Sequence, residues 1–225
     1  MGKKIYLSPS NQDGNLYAYG STNEMEQCNR IADAAKTALE RCGFTVKKAA
    51  KGQAMSRSIT ESNAWGADLH LPIHTNAGGG NGTMCMVYSK SAQNMQYAAP
   101  IYQAVQAVTP GNIDYGVREM AELAELNSTN CVAVYTEVDF HDNKTIAKWL
   151  IENSQTVGEA LAQGVCKAYG VTYQAPDKKS ERTTSEDLLY RVQVGAFAEK
   201  KNADEFLKQL RSAGFRDAFI TGGKQ

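Results

Sequence analysis

Apolar positions along the first 173 residues alternate between short runs and helical stripes. Lys4 to Leu7 reads as a short strand, stopped by Ser8-Pro9-Ser10 and a polar loop rich in Asn, Gly and Tyr. Asn23 and Glu26 form an N-x-x-E capping arrangement that opens a helix. In that helix Met25, Cys28, Ile31, Ala32, Ala35, Leu39 and Cys42 share one stripe, and Gly43 ends it. Phe44 to Lys48 is predicted as a strand, Ser58 to Trp65 as a helix, Ala67 to Asn76 and Met84 to Tyr88 as strands, and Ala92 to Val108 as a helix stopped by Pro110-Gly111. Gly116 to Asn130 carries Arg118 and an acidic, alanine-rich stretch, which reads as a short helix over the site. Cys131 to Tyr135 reads as a buried strand and Ile146 to Tyr169 as one long helix stopped by Gly170. This alternation predicts an α/β fold, a mostly parallel twisted sheet with helices on both faces.

Beyond residue 173 the pattern changes. Gln174 to Asp187 is Pro, Lys, Ser, Glu, Arg and Thr with almost nothing apolar, the composition of a linker. A small C-terminal β-α-β unit is predicted after it, with strands Leu189 to Phe197 and Ala218 to Thr221 around a helix from Asn202 to Ala213. The expected organisation is a main domain at 1–173, a linker at 174–187 and a unit at 188–225, the last too small to build a core readily.

The 42% apolar and 21% charged content is that of a globular protein, and a formal net charge of +0 argues against nucleic acid as a partner. No run is long enough to insert into a membrane. The Met1-Gly2-Lys3-Lys4 start has no apolar leader core, which implies synthesis in the cytoplasm without a signal peptide. Five scattered cysteines without a Cys-x-x-Cys read as reduced thiols rather than a zinc site. A nucleophilic pairing of Cys85 or Cys131 with His74 is the minor alternative.

The chemistry concentrates where apolar runs end. Ala67 to Asn76 finishes in His74-Thr75-Asn76 and breaks into the glycine-rich Gly78 to Gly82, the signature of a strand delivering polar side chains to its carboxyl end. His70 and His74 lie roughly 13 Å apart along a strand at about 3.3 Å per residue, too far to share one metal ion. His74 is the functional candidate, and His70 reads as a hydrogen-bonded structural residue. Glu24 opens the first long helix and Glu137 follows an apolar run, so Glu24, His74 and Glu137 form a constellation at one sheet end. Zinc hydrolases use His and carboxylate ligands with a Glu as general base.

The order of these pieces resembles the zinc-dependent N-acetylmuramoyl-L-alanine amidases of the amidase 3 family, including the endolysins. The matching pieces are Ser8-Pro9-Ser10-Asn11 in place of a strand-end Asp-Pro-Gly-His, Asn23-Glu24, Arg57 ahead of Ala67-Asp68, His74-x-Asn76-Ala77, and Glu137-x-x-Phe140-x-x-Asn143. The resemblance covers about residues 3–173. It implies a peptidoglycan hydrolase cleaving the amide between N-acetylmuramic acid and L-alanine, with Zn2+ held by Glu24 and His74, Glu137 as the catalytic carboxylate, and Asn11 and Asn76 contacting substrate. The family's first histidine ligand is missing: Asn11 stands there, and the later stretch Gln12-Asp13-Gly14-Asn15 also lacks one. His141 is the remaining histidine and the candidate third ligand. Tyr190 to Phe197 with Ala203 and Gly214-Phe215 is similar to the first half of a SPOR domain, a peptidoglycan-binding module, which implies either a truncated module or a homodimer pairing two halves. The expected site of action is the bacterial cell wall, with phage-type release. The competing reading is a catalytically inactive wall-binding protein on an amidase fold.

Overall fold

The computed structural model describes residues 2–176, 194–216 and 218–220. The chain divides into two compact units, Met1–Asp177 and Lys178–Gln225. The first unit runs β1 (Lys4–Pro9), α1 (Glu24–Arg41), β2 (Thr45–Lys48), α2 (Met55–Trp65), β3 (Leu69–Asn76), β4 (Met84–Val87), α3 (Ala92–Gln106), β5 (Val117–Glu119), α4 (Ala124–Asn127), β6 (Val132–Ala133), β7 (Tyr135–Phe140), α5 (Lys144–Glu152) and α6 (Ser154–Tyr169). The sheet order is β2-β1-β3-β7-β4-β5, with β6 pairing β3 ahead of β7. Every pairing is parallel except β4 with β7, so the predicted mostly parallel sheet is observed.

Side-chain alternation along the strands decides what covers each face. Ile5, Leu7, Leu69, Leu71, Ile73 and Val138 join Cys28, Ile31, Ala35 and Leu39 of α1, Ile101 of α3 and Val157 and Leu161 of α6 in one core. Tyr6 and His70 point the other way, where Tyr6 donates to Glu61 of α2 at 2.7 Å and His70 meets Glu125 of α4 at 3.1 Å. α6 seats itself between α1 and α3 through two glycines. A Cβ on Gly158 would lie 2.4 Å from the Ala34 Cβ, and one on Gly164 would lie 2.5 Å from the Ile101 Cα. Larger residues there would push the helices apart.

Two elements differ from the sequence expectation. The helix expected over Ile146 to Tyr169 is two helices, because Asn153 leaves helical geometry (φ −123°, ψ 23°) and its side-chain amide donates to the Trp149 carbonyl at 2.8 Å. The strand expected over Cys131 to Tyr135 continues to Phe140, so Glu137 and Asp139 sit within β7 rather than after it. A bulge between His74 and Asn76 shifts the β3–β7 register at the end of the ladder.

In the second unit the described residues include one helix, α7 (Lys200–Ser212), with the Phe197 and Phe206 rings 5.4 Å apart. The described parts of the two predicted strands, 194–197 and 218–220, carry no ladder among the described residues. Residues 189–193 and 221, together with 177–187 of the predicted linker, lie outside the described residues.

Candidate functional site

The carboxyl ends of β1, β3 and β7 meet the start of α1. Asn23 caps that helix by accepting from the Glu26 amide at 2.9 Å, which places Glu24 in the first turn, where the helix dipole favours a carboxylate. Glu24 is only 1% exposed. Its Oε1 lies 2.8 Å from His74 Nδ1 and 3.4 Å from the Thr75 amide, and its Oε2 accepts from Asn15 Nδ2 at 2.7 Å. Burial pushes this carboxyl up, but His74, Asn15 and Ser10 together hold it below its ordinary value. For His74 burial works downward, and the carboxylates of Glu24 and Glu137 outweigh it, so its pKa is raised.

Parallel register sets Glu137 directly beside His74. Burial raises the Glu137 carboxyl to about 7, with His74 opposing and Glu24 adding to the rise. Its Oε2 is buried without a hydrogen-bond partner among the described residues. Such an atom costs free energy unless something occupies the space in front of it. Tyr135, two residues earlier on the same face, stacks on the His74 imidazole at 4.5 Å and 24° and fixes the ring plane. A cleft opens beside His74 and Tyr135, lined also by Ser10, Asn11, Gln53 and Leu123 among others. Asn11 is thus on the cleft wall. Asn76 lies past the bulge, where its side chain accepts from the Ala77 amide at 2.8 Å.

His141 meets the residue that follows His74. Its Nδ1 is 3.0 Å from both the hydroxyl and the carbonyl oxygen of Thr75, and its ring stacks on Tyr17 at 5.1 Å. Among the described residues no group of three or more His, Cys, Asp or Glu side chains could hold a metal ion. Glu24 and His74 supply two donors of the types zinc takes, and Glu137 is the register neighbour of His74. The site therefore fits a divalent cation but is one strong donor short. Cys85 and Cys131 are pushed up to about 12 and about 11 by burial, so neither is a thiolate nucleophile.

Three supporting acids escaped the sequence reading. Asp139 accepts from the Gly82 amide at 2.7 Å and the Gly111 amide at 2.9 Å, and Asp142 accepts from Gly78 and Gly79 at 2.7 and 2.8 Å. Asp139 within β7 and Asp142 just after it pin the glycine loop that follows β3, and Asp139 ties that loop to Gly111. Glu125 of α4, 3% exposed, accepts from Ser8 Oγ at 2.5 Å and contacts His70 Nε2 at 3.1 Å, fastening α4 to the sheet beside the cleft. Replacing Glu125 with alanine strands two buried polar groups. A loss of about 2–4 kcal/mol is expected in chemical denaturation, and a loss under 0.5 kcal/mol would show that this contact does not hold α4. Only the acid-after-strand pattern could have flagged the Asp residues, and nothing local marks Glu125.

No helix among the described residues is long and apolar enough to cross a membrane. The chain is similar to the N-acetylmuramoyl-L-alanine amidase CwlM of Bacillus licheniformis, 30% identical over 171 residues that cover 74% of this chain and 61% of that protein. It is also similar to the sporulation-specific N-acetylmuramoyl-L-alanine amidase of Bacillus subtilis (strain 168), 32% identical over 160 residues, 68% of this chain and 57% of that one. The chain thus spans about three fifths of the length of these curated relatives. Among solved structures it shares its fold with the amidase AmiC2 of Nostoc punctiforme, with TM-score 0.67 and 15% identity over 75% of this chain and 97% of that one. The catalytic domain of the CD27L endolysin targeting Clostridia difficile superposes with TM-score 0.60 at 24% identity, covering 72% of this chain and 96% of that domain. Residues 168–225 match the SPOR domain model. Residues 9–168, more than half of the chain, match the family model of N-acetylmuramoyl-L-alanine amidase, and the chain belongs to that family.

Proposed function

We propose that this protein hydrolyses peptidoglycan at the amide between the lactyl group of N-acetylmuramic acid and L-alanine, with Glu137 as the proton carrier and Glu24 and His74 holding a divalent cation, zinc in the first instance. The observation that carries this reading is the Glu137 carboxylate, whose Oε2 is buried without a partner among the described residues, set in register beside a His74–Glu24 pair whose histidine lines an open cleft. A general base works best with a pKa near the working pH, and burial brings Glu137 to about 7. A bound cation supplies Lewis acidity at the amide carbonyl and lowers the pKa of water. Glu137 accepts the proton of the attacking water as its oxygen bonds to the carbonyl carbon. It returns that proton to the nitrogen as the C–N bond breaks, leaving a lactyl carboxylate and a free alanine amine. His74 keeps its orientation through Tyr135 and Glu24. Asn11 lies where it can contact the glycan or peptide from the cleft wall. The SPOR match at 168–225 supports a second hold on peptidoglycan, and the wall is the proposed place of action.

The test is end-group analysis of digested muropeptides. Hydrolysis that exposes new L-alanine amino termini and leaves intact muramic acid supports the reading. New termini elsewhere in the stem peptide would make the protein a peptidase. Binding to sacculi without any new amine would leave only a wall-binding role.

A further inference from the structure

Glu24 offers one oxygen to His74 and the other to Asn15. Asn15 therefore joins His74 and Ser10 around this carboxylate, and it is held in place from several sides. Its carbonyl accepts from the Glu24 amide at 2.9 Å, and its Nδ2 also donates to Gln12 Oε1 at 2.6 Å. The adjoining backbone is anchored by the Gln12 carbonyl, which accepts from Met25 at 3.2 Å. The loop from Ser10 to Asn15 is thus clipped to the start of α1 at the point where the cation site lacks a donor. An amide group has two ends, and turning it exchanges a donor nitrogen for an acceptor oxygen with little change of shape.

We propose that Asn15, through Oδ1, is the third protein donor to the divalent cation held by Glu24 and His74. This rests on the cation-site reading above and deepens it. Without a cation, Asn15 Nδ2 donates to Glu24 and compensates part of its buried charge. With a cation, the carboxylate is compensated by the ion, and the amide turns its oxygen toward it. Other nearby groups serve less well. Among the described residues Gln12 makes no hydrogen bond to Glu24 or His74 and meets the group only through Asn15, and His141 has its Nδ1 on Thr75. One imidazole, one carboxylate and one neutral amide oxygen form a harder and weaker set than two imidazoles and a carboxylate. The consequence is an exchangeable ion, with zinc less favoured over manganese than at a site with two histidines.

The experiment measures zinc and manganese affinity of the full chain by competition with a chromogenic chelator, with folding checked by circular dichroism. Wild type, Asn15→Ala, Asn15→Asp, Asn15→His and His74→Ala are compared. One zinc per chain is expected for wild type and none for His74→Ala. Asn15→Ala should weaken zinc at least tenfold, and Asn15→Asp and Asn15→His should each tighten it at least tenfold. Alanine is the discriminating variant. Aspartate supplies an anionic oxygen at the same place and must tighten the site even if Asn15→Ala fails to fold. If Asn15 only donated a hydrogen bond to Glu24, Asn15→Ala would free that carboxylate oxygen and leave zinc affinity equal or higher. Either a loss in Asn15→Asp or no loss in Asn15→Ala would overturn the proposal. Unchanged affinity in all three Asn15 variants, with loss in His74→Ala, would remove Asn15 but leave the Glu24–His74 cation site. No zinc on wild type would remove both, whatever the muropeptide assay gave.

Discussion

Replacing Glu137 with glutamine is expected to cut muropeptide hydrolysis about 10²–10⁴-fold, the usual contribution of a positioned acid–base group, while leaving the metal-free fold at least as stable as wild type. The two effects have one cause. Burial raises the Glu137 carboxyl to about 7, so its ionised form is disfavoured in the folded chain. A carboxyl whose folded pKa lies above its unfolded value contributes stability at acid pH that is lost as pH rises through the folded value. Above pH 7 wild type carries that cost and the amide variant does not, so Glu137→Gln should gain on the order of 2 kcal/mol at pH 8 and little at pH 4. Turnover and denaturation midpoints on the same metal-free and zinc-loaded samples check both halves. A variant that keeps a tenth or more of wild-type turnover would remove Glu137 from the chemistry.

How far the chain could be read in advance follows from where each signal resides. β3 was legible because its apolar run, its polar end and the glycine break are contiguous. The expected strand stops at Tyr135 because Thr136, Glu137 and Asp139 after it look like a polar loop. They belong to a strand because Tyr135 and Glu137 face the His74 side of the sheet while Asp139 is consumed by the Gly82 and Gly111 amides. The break at Asn153 left no trace because Asn and Ser are tolerated in a helix and only the capping of Trp149 gives it away. Among the site residues, Glu24 opens α1 and His74 lies near the end of β3, while Glu137 is interior to β7 and comes beside His74 through the parallel register. His141 stands just past the end of β7, yet Thr75 and Tyr17, distant in sequence, claim its ring. Asn15 was the converse: an unremarkable loop asparagine until the structure set it against Glu24.

The second large effect is expected at His74. In His74→Ala the Glu24 carboxylate, 1% exposed, loses its imidazole partner, and breaking a buried pair from one side costs about 3–5 kcal/mol. That figure should itself depend on pH in the metal-free protein. Glu24 has its folded pKa held below 4.5, so its share is present above 4.5 and is lost as pH falls through the lowered value. His74 has its folded pKa held above 6.5, so its share is full below 6.5 and is lost as pH rises through the raised value. Wild type and His74→Ala should therefore differ most between pH 4.5 and 6.5, with the gap narrowing on both sides. Zinc reverses the alkaline limb, because an ion takes the place of the proton between imidazole and carboxylate and binds best once that proton is gone. Adding zinc to wild type should raise the denaturation midpoint more at pH 8 than at pH 5.5, chelator should undo it, and His74→Ala should show neither response. A wild-type protein with no zinc effect at pH 8 would mean that the pair serves only to hold α1 against the end of β3.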